Sequence, residues 1–208
     1  MKKTLVALAA FVLIVAGVAY WAYYSLDVID KFALEYYGSG IAGVPVHVGH
    51  VAISPRNGRG SVTGVEIGNP PGFSTVHAAK LGEIRVAADS ATLTDRIVHV
   101  SEVAIEAPVI VYERGDNGTN LDAIQKNIED YVARSFPVPE AMHKFVIDRL
   151  SIRGAKVTMT NPALPGKTFD LPDIELRDLG RREKGLTAGQ VANVLATTVI
   201  SRIDLAPR

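Results

Sequence analysis

Apolar residues recur along this chain with one uneven spacing, apolar-x-apolar-x-x-apolar-x-apolar, in the segments 46–53, 98–105 and 145–152. Plain alternation puts every second side chain on one face of a β-strand, so the doubled gap would turn the second pair to the other face. A β-bulge at the gap keeps all four on one face, because two residues then oppose one residue of the neighbouring strand. The pattern predicts three bent strands, each with one apolar face. Their apolar residues are Val46, Val48, Val51 and Ile53; Val98, Val100, Val103 and Ile105; and Phe145, Ile147, Leu150 and Ile152.

The segments that follow the second and third copies also resemble each other. Both continue with alternating residues at matching offsets, and we expect a return strand after each copy. Strand, Asn-Pro/Pro-Gly turn and strand follow one another in the same order in 62–86 and again in 157–176. The repeats predict two or more copies of one antiparallel unit, lying side by side.

Two helices are predicted to cover the apolar side of this sheet. Asn120 can cap a first helix, and Thr187 with Gln190 forms a capping box for a second one. Helical spacing gives each of them one apolar side. The apolar residues are Leu121, Ile124, Ile128, Tyr131 and Val132 in the first helix, and Val191, Val194, Leu195, Val199 and Ile203 in the second.

The N-terminal region carries an uncharged apolar run, residues 4–24, which as a helix would reach about 31 Å, enough to cross a bilayer. Lysines precede it and aspartates follow it, so the N-terminus is expected in the cytoplasm and the rest outside. A cleaved signal peptide is the alternative. The predicted organisation is an anchor (1–24), a helical stalk (25–43) and one domain (44–206). Tyr20, Trp21, Tyr23 and Tyr24 would form an aromatic belt at the outer boundary.

Composition and motifs argue against several classes of function. Acidic and basic residues balance at 22 each, which does not favour nucleic-acid binding, and the chain has no cysteine. His47 and His50 have no third ligand spaced to complete a metal site. No phosphate loop or Gly-x-Ser-x-Gly elbow is present. We therefore predict no catalytic residue, metal site or cofactor, and a protein that is not an enzyme.

The apolar face of the sheet leaves two functions open. Two modest helices either close it into an ordinary core or leave a gutter for acyl chains, in which each buried CH₂ gains about 0.8 kcal/mol. In the second case the groove residues are those of the two later copies, from Val98 to Ile105 and from Phe145 to Ile152. Arg181, Arg182 and Lys184, in a loop before the last helix, are candidates for contact with lipid headgroups.

Five segments resemble the short, single-span members of the AsmA-like family of bacterial envelope proteins. They are 62–73 (VTGVEIGNPPGF), 81–86 (LGEIRV), 102–108 (EVAIEAP), 119–124 (TNLDAI) and 171–180 (LPDIELRDLG). The resemblance implies an inner-membrane helix, a periplasmic domain of curved antiparallel sheet with an apolar concave side, and a part in envelope lipid homeostasis. It brings no catalytic residues.

The expected fold is therefore α+β and mainly antiparallel, with a transmembrane helix followed by a curved, repeated, groove-like sheet under two helices. The expected function is lipid binding or handling at the bacterial inner membrane. An accessory subunit of a larger inner-membrane complex, with a closed core and no ligand, is the alternative. Eight or nine strands give a groove of only about 40 Å, so lipid transport would need a second copy or a partner. The expected partners are the bilayer, phospholipid, a second copy or a membrane complex.

Overall fold

The computed structural model describes residues 31–116, 118–134, 143–161 and 164–205. Within them lie helices α1 (Lys31–Ala42), α2 (Asn120–Arg134) and α3 (Ala188–Leu205). The strands are β1 (Val46–His47), β2 (His50–Ser54), β3 (Arg59–Gly68), β4 (His77–Ala88), β5 (Ile97–Glu106), β6 (Val109–Gly115), β7 (Gly118–Thr119), β8 (Lys144–Arg153), β9 (Lys156–Asn161), β10 (Leu164–Asp170) and β11 (Ile174–Leu179). The fold is α+β, as the sequence predicts.

Several strands are halves of longer, interrupted ones. β5 and β6 both pair antiparallel with β4 in one unchanged register, so β6 continues β5 in the same direction. Strand β8 pairs with β5, and β9 pairs with β6, with the same difference between the numbers of the paired residues. β9 therefore continues β8 in the same direction. The prediction of a return strand after each repeat is therefore wrong. The second and third copies each lie in the first half of a long strand, whereas the first copy, 46–53, spans both halves, β1 and β2.

The second and third copies of the repeat are direct neighbours in the sheet. Val98 lies beside Phe145 and Ile105 beside Ile152, so equivalent residues pair in register and the two strands run parallel. A parallel pair needs a crossover connection, and α2 lies in that connection. The sheet is thus mixed, with antiparallel pairs everywhere except β5–β8 and β6–β9 among the described strands. The second and third copies lie side by side, as predicted, but they pair with each other in parallel and are not units of antiparallel strands.

The predicted bulge is present in β5. Ala87 of β4 faces Glu102, but the next residue, Ala88, faces Val100, so Ser101 is the extra residue. The Ser101 hydroxyl donates a hydrogen bond of 3.0 Å to the Ala87 carbonyl oxygen. The bulge keeps the apolar residues before and after it on one face of the strand, as the spacing predicts.

A row of small or turning residues crosses the sheet and marks where the long strands are interrupted. Extending the strand registers places them opposite one another: Gly49, Gly64, Gly82, Ala107, Gly154 and Pro172. We call this row the crease. Gly64, Ala107 and Gly154 have φ of 66°, 49° and 62°, which breaks the extended backbone. A Cβ on Gly82 would lie 3.1 Å from the Glu106 carbonyl oxygen, so a larger residue there would fit only if the neighbouring strand moved by a few tenths of an ångström.

Both predicted helices form, with one change at a helix N-terminus. Thr187 and Gln190 make the reciprocal capping box, with hydrogen bonds of 2.8 and 3.3 Å. At α2 the cap is Thr119, whose hydroxyl accepts from the Asp122 N–H, while the Asp122 carboxylate accepts from the Thr119 N–H. The prediction that Asn120 caps this helix is therefore wrong.

Helix α1 is a third cover for the sheet. It lies in the predicted stalk, and its residues Leu34, Ile41 and Ala42 are buried in the common core. Two of its side chains also bond to the first strand. The described part of the chain therefore has three covering helices, whereas two were expected.

Candidate interaction surfaces

The predicted lipid-groove residues lie in the interior of the domain. All eight are at most 2 % exposed, and they belong to one hydrophobic cluster. They are Val98, Val100, Val103, Ile105, Phe145, Ile147, Leu150 and Ile152. The sequence left open whether this face stands open or is filled, and in the structure the chain's own side chains fill it.

The helices provide that filling. Helix α3 buries Val191, Leu195, Val199 and Ile203 in the same cluster. It also approaches α2 closely, since a Cβ on Gly189 would lie 2.9 Å from a methyl group of Val132. Helix α2 also packs its apolar side into this cluster. Its buried apolar residues are Leu121, Ile124 and Ile128. An acyl chain would reach the predicted groove only if a helix moved away.

The predicted headgroup site is a surface loop between β11 and α3. Arg181 donates to the carboxylates of Asp148 and Asp178, both at 2.9 Å. Two carboxylates thus offset the positive charge of Arg181. Arg182 and Lys184 are exposed. Arg181 and Arg182 line one surface concavity together with Asp178 and Glu183. The loop is a mixed-charge surface, which weakens the case for headgroup binding.

Helix α1 carries a cluster of exposed aromatic side chains, Phe32, Tyr36 and Tyr37, which we call the α1 aromatic surface. These residues are 68 %, 65 % and 41 % exposed. The rings of Phe32 and Tyr36 stack with centroids 6.2 Å apart, and Tyr37 meets Tyr36 edge-on at 5.5 Å. An open concavity beside it is also lined by Pro45, His47 and Tyr131.

The sheet has two outer edges, and α1 protects part of the first. The Val46 N–H donates to the Ser39 hydroxyl at 3.0 Å, and the Val48 N–H donates to the Glu35 carboxylate at 2.8 Å. These side chains satisfy backbone donors that an additional strand would otherwise pair with. Strand β1 is therefore closed to a partner strand.

The remaining edges differ in composition. The opposite edge, β10 with β11, has one proline in its sequence and carries charged residues, among them Lys167, Glu175 and Arg177, which discourage pairing with another chain. Strand β2, with the sequence HVAIS, has neither proline nor a carboxylate or lysine. Its outer edge has no neighbouring strand among the described residues. The segment β2 is the least protected stretch of sheet edge in the described structure.

The face of the sheet away from the helices is covered with cross-strand ion pairs. Lys80 pairs with Glu66 at 2.6 Å, and Arg149 pairs with Glu102 at 2.6 Å. Such exposed pairs each contribute about 0–1 kcal/mol. Opposite charges alternate across this face, so it does not present a field of one sign to a ligand.

Glu113 is a buried carboxylate, 1 % exposed, in β6. Its oxygens accept four hydrogen bonds, from the N–H and the hydroxyl of Ser74 at 2.6 and 2.7 Å, and from those of Thr75 at 2.9 and 2.5 Å. Its own N–H donates to Asn120, whose side-chain amide also donates to Asn69 at 2.8 Å. We call these five residues the Glu113 network. It fixes the loop between β3 and β4 to β6 and to the start of α2.

Burial alone would raise the pKa of Glu113, because the charged form loses water. The hydrogen bonds from Thr75 and Ser74 outweigh burial and lower its pKa to about 2. The carboxylate is therefore ionised at neutral pH with its oxygens occupied by the protein's own donors. This arrangement is suited to holding a loop, not to transferring a proton at neutral pH.

The Glu113 network was not predicted from the sequence. A single acidic residue in a strand normally indicates a solvent-facing position, and the donors lie almost 40 residues earlier in the chain. The signal available was the Ser74-Thr75 pair after the Asn-Pro-Pro-Gly-Phe turn, which offers two hydroxyls and two N–H groups in succession. Among the described residues, no group of three His, Asp or Glu side chains is arranged to hold a metal ion.

Neither the models of protein families nor the curated proteins match this chain. None of the helices α1, α2 and α3 is both long and apolar enough to cross a membrane. The predicted anchor, 1–24, and the belt residues Tyr20, Trp21, Tyr23 and Tyr24 lie outside the described residues.

Proposed function

We propose that this protein is a non-catalytic accessory module of the bacterial envelope, held at the inner membrane by its N-terminal segment and docked onto a larger membrane complex. The filled apolar face is the observation that carries the proposal. The eight residues of the expected lipid groove are at most 2 % exposed beneath the chain's own helices. A domain with a closed core has no internal ligand site on this face, and its exposed strand edge is suited to contact with another protein.

Strand β2 is the docking site in this proposal. An exposed, uncharged strand edge accepts an additional strand through main-chain hydrogen bonds, and side chains on alternate positions provide specificity. Val51 and Ile53 are half-buried on the core side, while His50, Ala52 and Ser54 are exposed on the other. A partner strand placed beside β2 would extend the apolar side of the sheet with its own apolar residues.

Site-specific photo-crosslinking in cells tests the docking site. We would place p-benzoylphenylalanine in the full-length chain at His50, with Lys167 on the opposite edge as the control position. The proposal predicts a discrete adduct from position 50 and none from 167. Adding Ala52→Lys, a charge on an exposed residue of the same edge, should abolish the adduct without changing the unfolding midpoint. Equal crosslinking from both positions, or an adduct insensitive to Ala52→Lys, contradicts docking at β2.

Native mass spectrometry tests the absence of a lipid ligand. The full-length chain, released from nanodiscs containing phosphatidylethanolamine and phosphatidylglycerol, is expected to appear without retained phospholipid. A stoichiometric phospholipid that survives gentle activation would instead favour the lipid-handling function that the AsmA-like resemblance implies. That function requires α3 or α2 to leave the sheet, since the predicted groove lies beneath them.

A further inference from the structure

Helix α1 presents a row of solvent-exposed aromatic side chains. Six large apolar side chains are exposed in the described residues, and Phe32, Tyr36 and Tyr37 are three of them. Exposed apolar residues are ordinary when scattered, but a contiguous group indicates a contact surface. These three form a continuous row of touching rings along one helix.

The orientation of this surface relative to the domain is fixed. The other side of α1 buries Leu34 and Ile41 in the core. The side chains of Ser39 and Glu35 accept hydrogen bonds from the N–H groups of Val46 in β1 and of Val48 just after it. The α1 aromatic surface is therefore held rigidly outward.

The chain before α1 limits how far this surface lies from a bilayer. The apolar run ends at Tyr24 and α1 begins at Lys31, so even a fully extended connection spans at most about 25 Å. Aromatic side chains, above all tyrosine with its apolar ring and polar hydroxyl, concentrate at the boundary between headgroups and acyl chains. Phe32 and Tyr36 lie in the turns of α1 that are nearest to the apolar run.

We infer that α1 lies along the outer headgroup region of the membrane, with Phe32 and Tyr36 in contact with lipid. The occupant of the α1 aromatic surface is thus the bilayer itself. The inference rests on the membrane anchoring in the proposed function, but not on docking at β2. The contact would also orient the domain relative to the membrane. Strand β1, next to α1, pairs with one end of β3, and the hairpin tip at 55–58 lies at the other end of β3.

Tryptophan quenching by brominated lipid measures this contact. The chain has one tryptophan, Trp21, which is replaced by phenylalanine in every variant. Single tryptophans are then introduced as Phe32→Trp, Tyr36→Trp and, in the exposed hairpin tip, Asn57→Trp. Each full-length variant is placed in nanodiscs of phosphatidylcholine, with or without bromine near the carbonyl end of the acyl chain.

The inference predicts loss of most of the emission at positions 32 and 36 in brominated nanodiscs, and unchanged emission at position 57. Full emission at positions 32 and 36 in brominated nanodiscs would overturn the inference. If these positions were also shielded from an aqueous quencher, another protein surface and not lipid would cover them, which overturns it as well. Co-flotation of each variant with vesicles is measured separately. A chain that floats without quenching keeps its anchor and loses only the α1 contact, whereas a chain that does not float contradicts the anchoring itself.

Discussion

Glu113 provides a sharp test of how the domain is held together. Replacing it by glutamine keeps the size of the side chain but removes the charge and half of the acceptors. The new amide group would face Thr75, whose N–H would then have no acceptor from this side chain. A buried donor without an acceptor costs about 1–3 kcal/mol. We expect Glu113→Gln to destabilise the fold by about 3 kcal/mol at pH 7, since the lost charge–donor attraction adds to this penalty.

The pKa gives an independent magnitude and a pH dependence. The pKa of Glu113 lies near 2 in the folded protein, against about 4.3 for an unperturbed glutamate. Each pKa unit corresponds to about 1.4 kcal/mol, so ionisation of this group contributes about 3 kcal/mol. Because the folded pKa is lowered, this contribution is fully present above about pH 5 and is lost as the pH falls towards 2.

Urea unfolding of the full-length protein in detergent, followed by circular dichroism from pH 7 down to pH 3, measures both effects. The stability difference between wild type and Glu113→Gln should shrink as the pH falls. Glu129→Gln makes the same chemical change on the exposed face of α2 and should alter stability by no more than about 0.5 kcal/mol. A Glu113→Gln protein as stable as wild type at pH 7, or a difference that does not change with pH, would refute the reasoning.

Three further predictions concern the backbone, the helix start and the core, and denaturant unfolding checks each of them. Gly58→Ala should cost about 3 kcal/mol or more, because φ is +64° and the new Cβ would lie 1.9 Å from the Ala88 carbonyl oxygen. Gly40→Ala, in open space on α1, should instead stabilise by about 0.5–1 kcal/mol; a similar effect of the two changes would contradict this. Thr119→Ala should cost about 1 kcal/mol through loss of the α2 cap, and no loss would mean that Thr119 is not the cap. Ile147→Ala should cost about 2–5 kcal/mol, the range for a filled core, and a cost below 1 kcal/mol would indicate an open face.

The local pattern of the sequence predicted the faces of the strands but not their neighbours. The repeated apolar residues of Val98–Ile105 and Phe145–Ile152 are buried, as the spacing predicts, because side-chain periodicity is a local property. Of these two strands, only the first shows the register shift of a bulge. Whether the chain turns back after Ile105 depends on the crease. Ala107 has a positive φ there, which an alanine in the sequence does not predict. The long strands and their parallel pairing were therefore not predictable from spacing.

Two polar positions show the same limit at the level of side chains. Thr119 and Asn120 are both good N-cap residues. Thr119 is the cap because it pairs with Asp122, while the side chain of Asn120 bonds to buried partners. Glu113 has an ordinary sequence context, and only the fold brings the loop between β3 and β4 to it. Burial of the expected groove residues depends on the packing of whole helices, which the sequence left undecided.

The chain's own helices close the apolar face of the sheet, and cysteine labelling tests this directly. The chain has no cysteine, so a single Val100→Cys in the full-length protein reports on that face alone, with Thr197→Cys on the exposed side of α3 as the control. Maleimide labelling of the folded protein should be fast at position 197. At position 100, which is 1 % exposed, it should proceed only at the rate set by opening of the whole domain. Labelling at position 100 as fast as at 197, in a protein that unfolds cooperatively, would contradict the account.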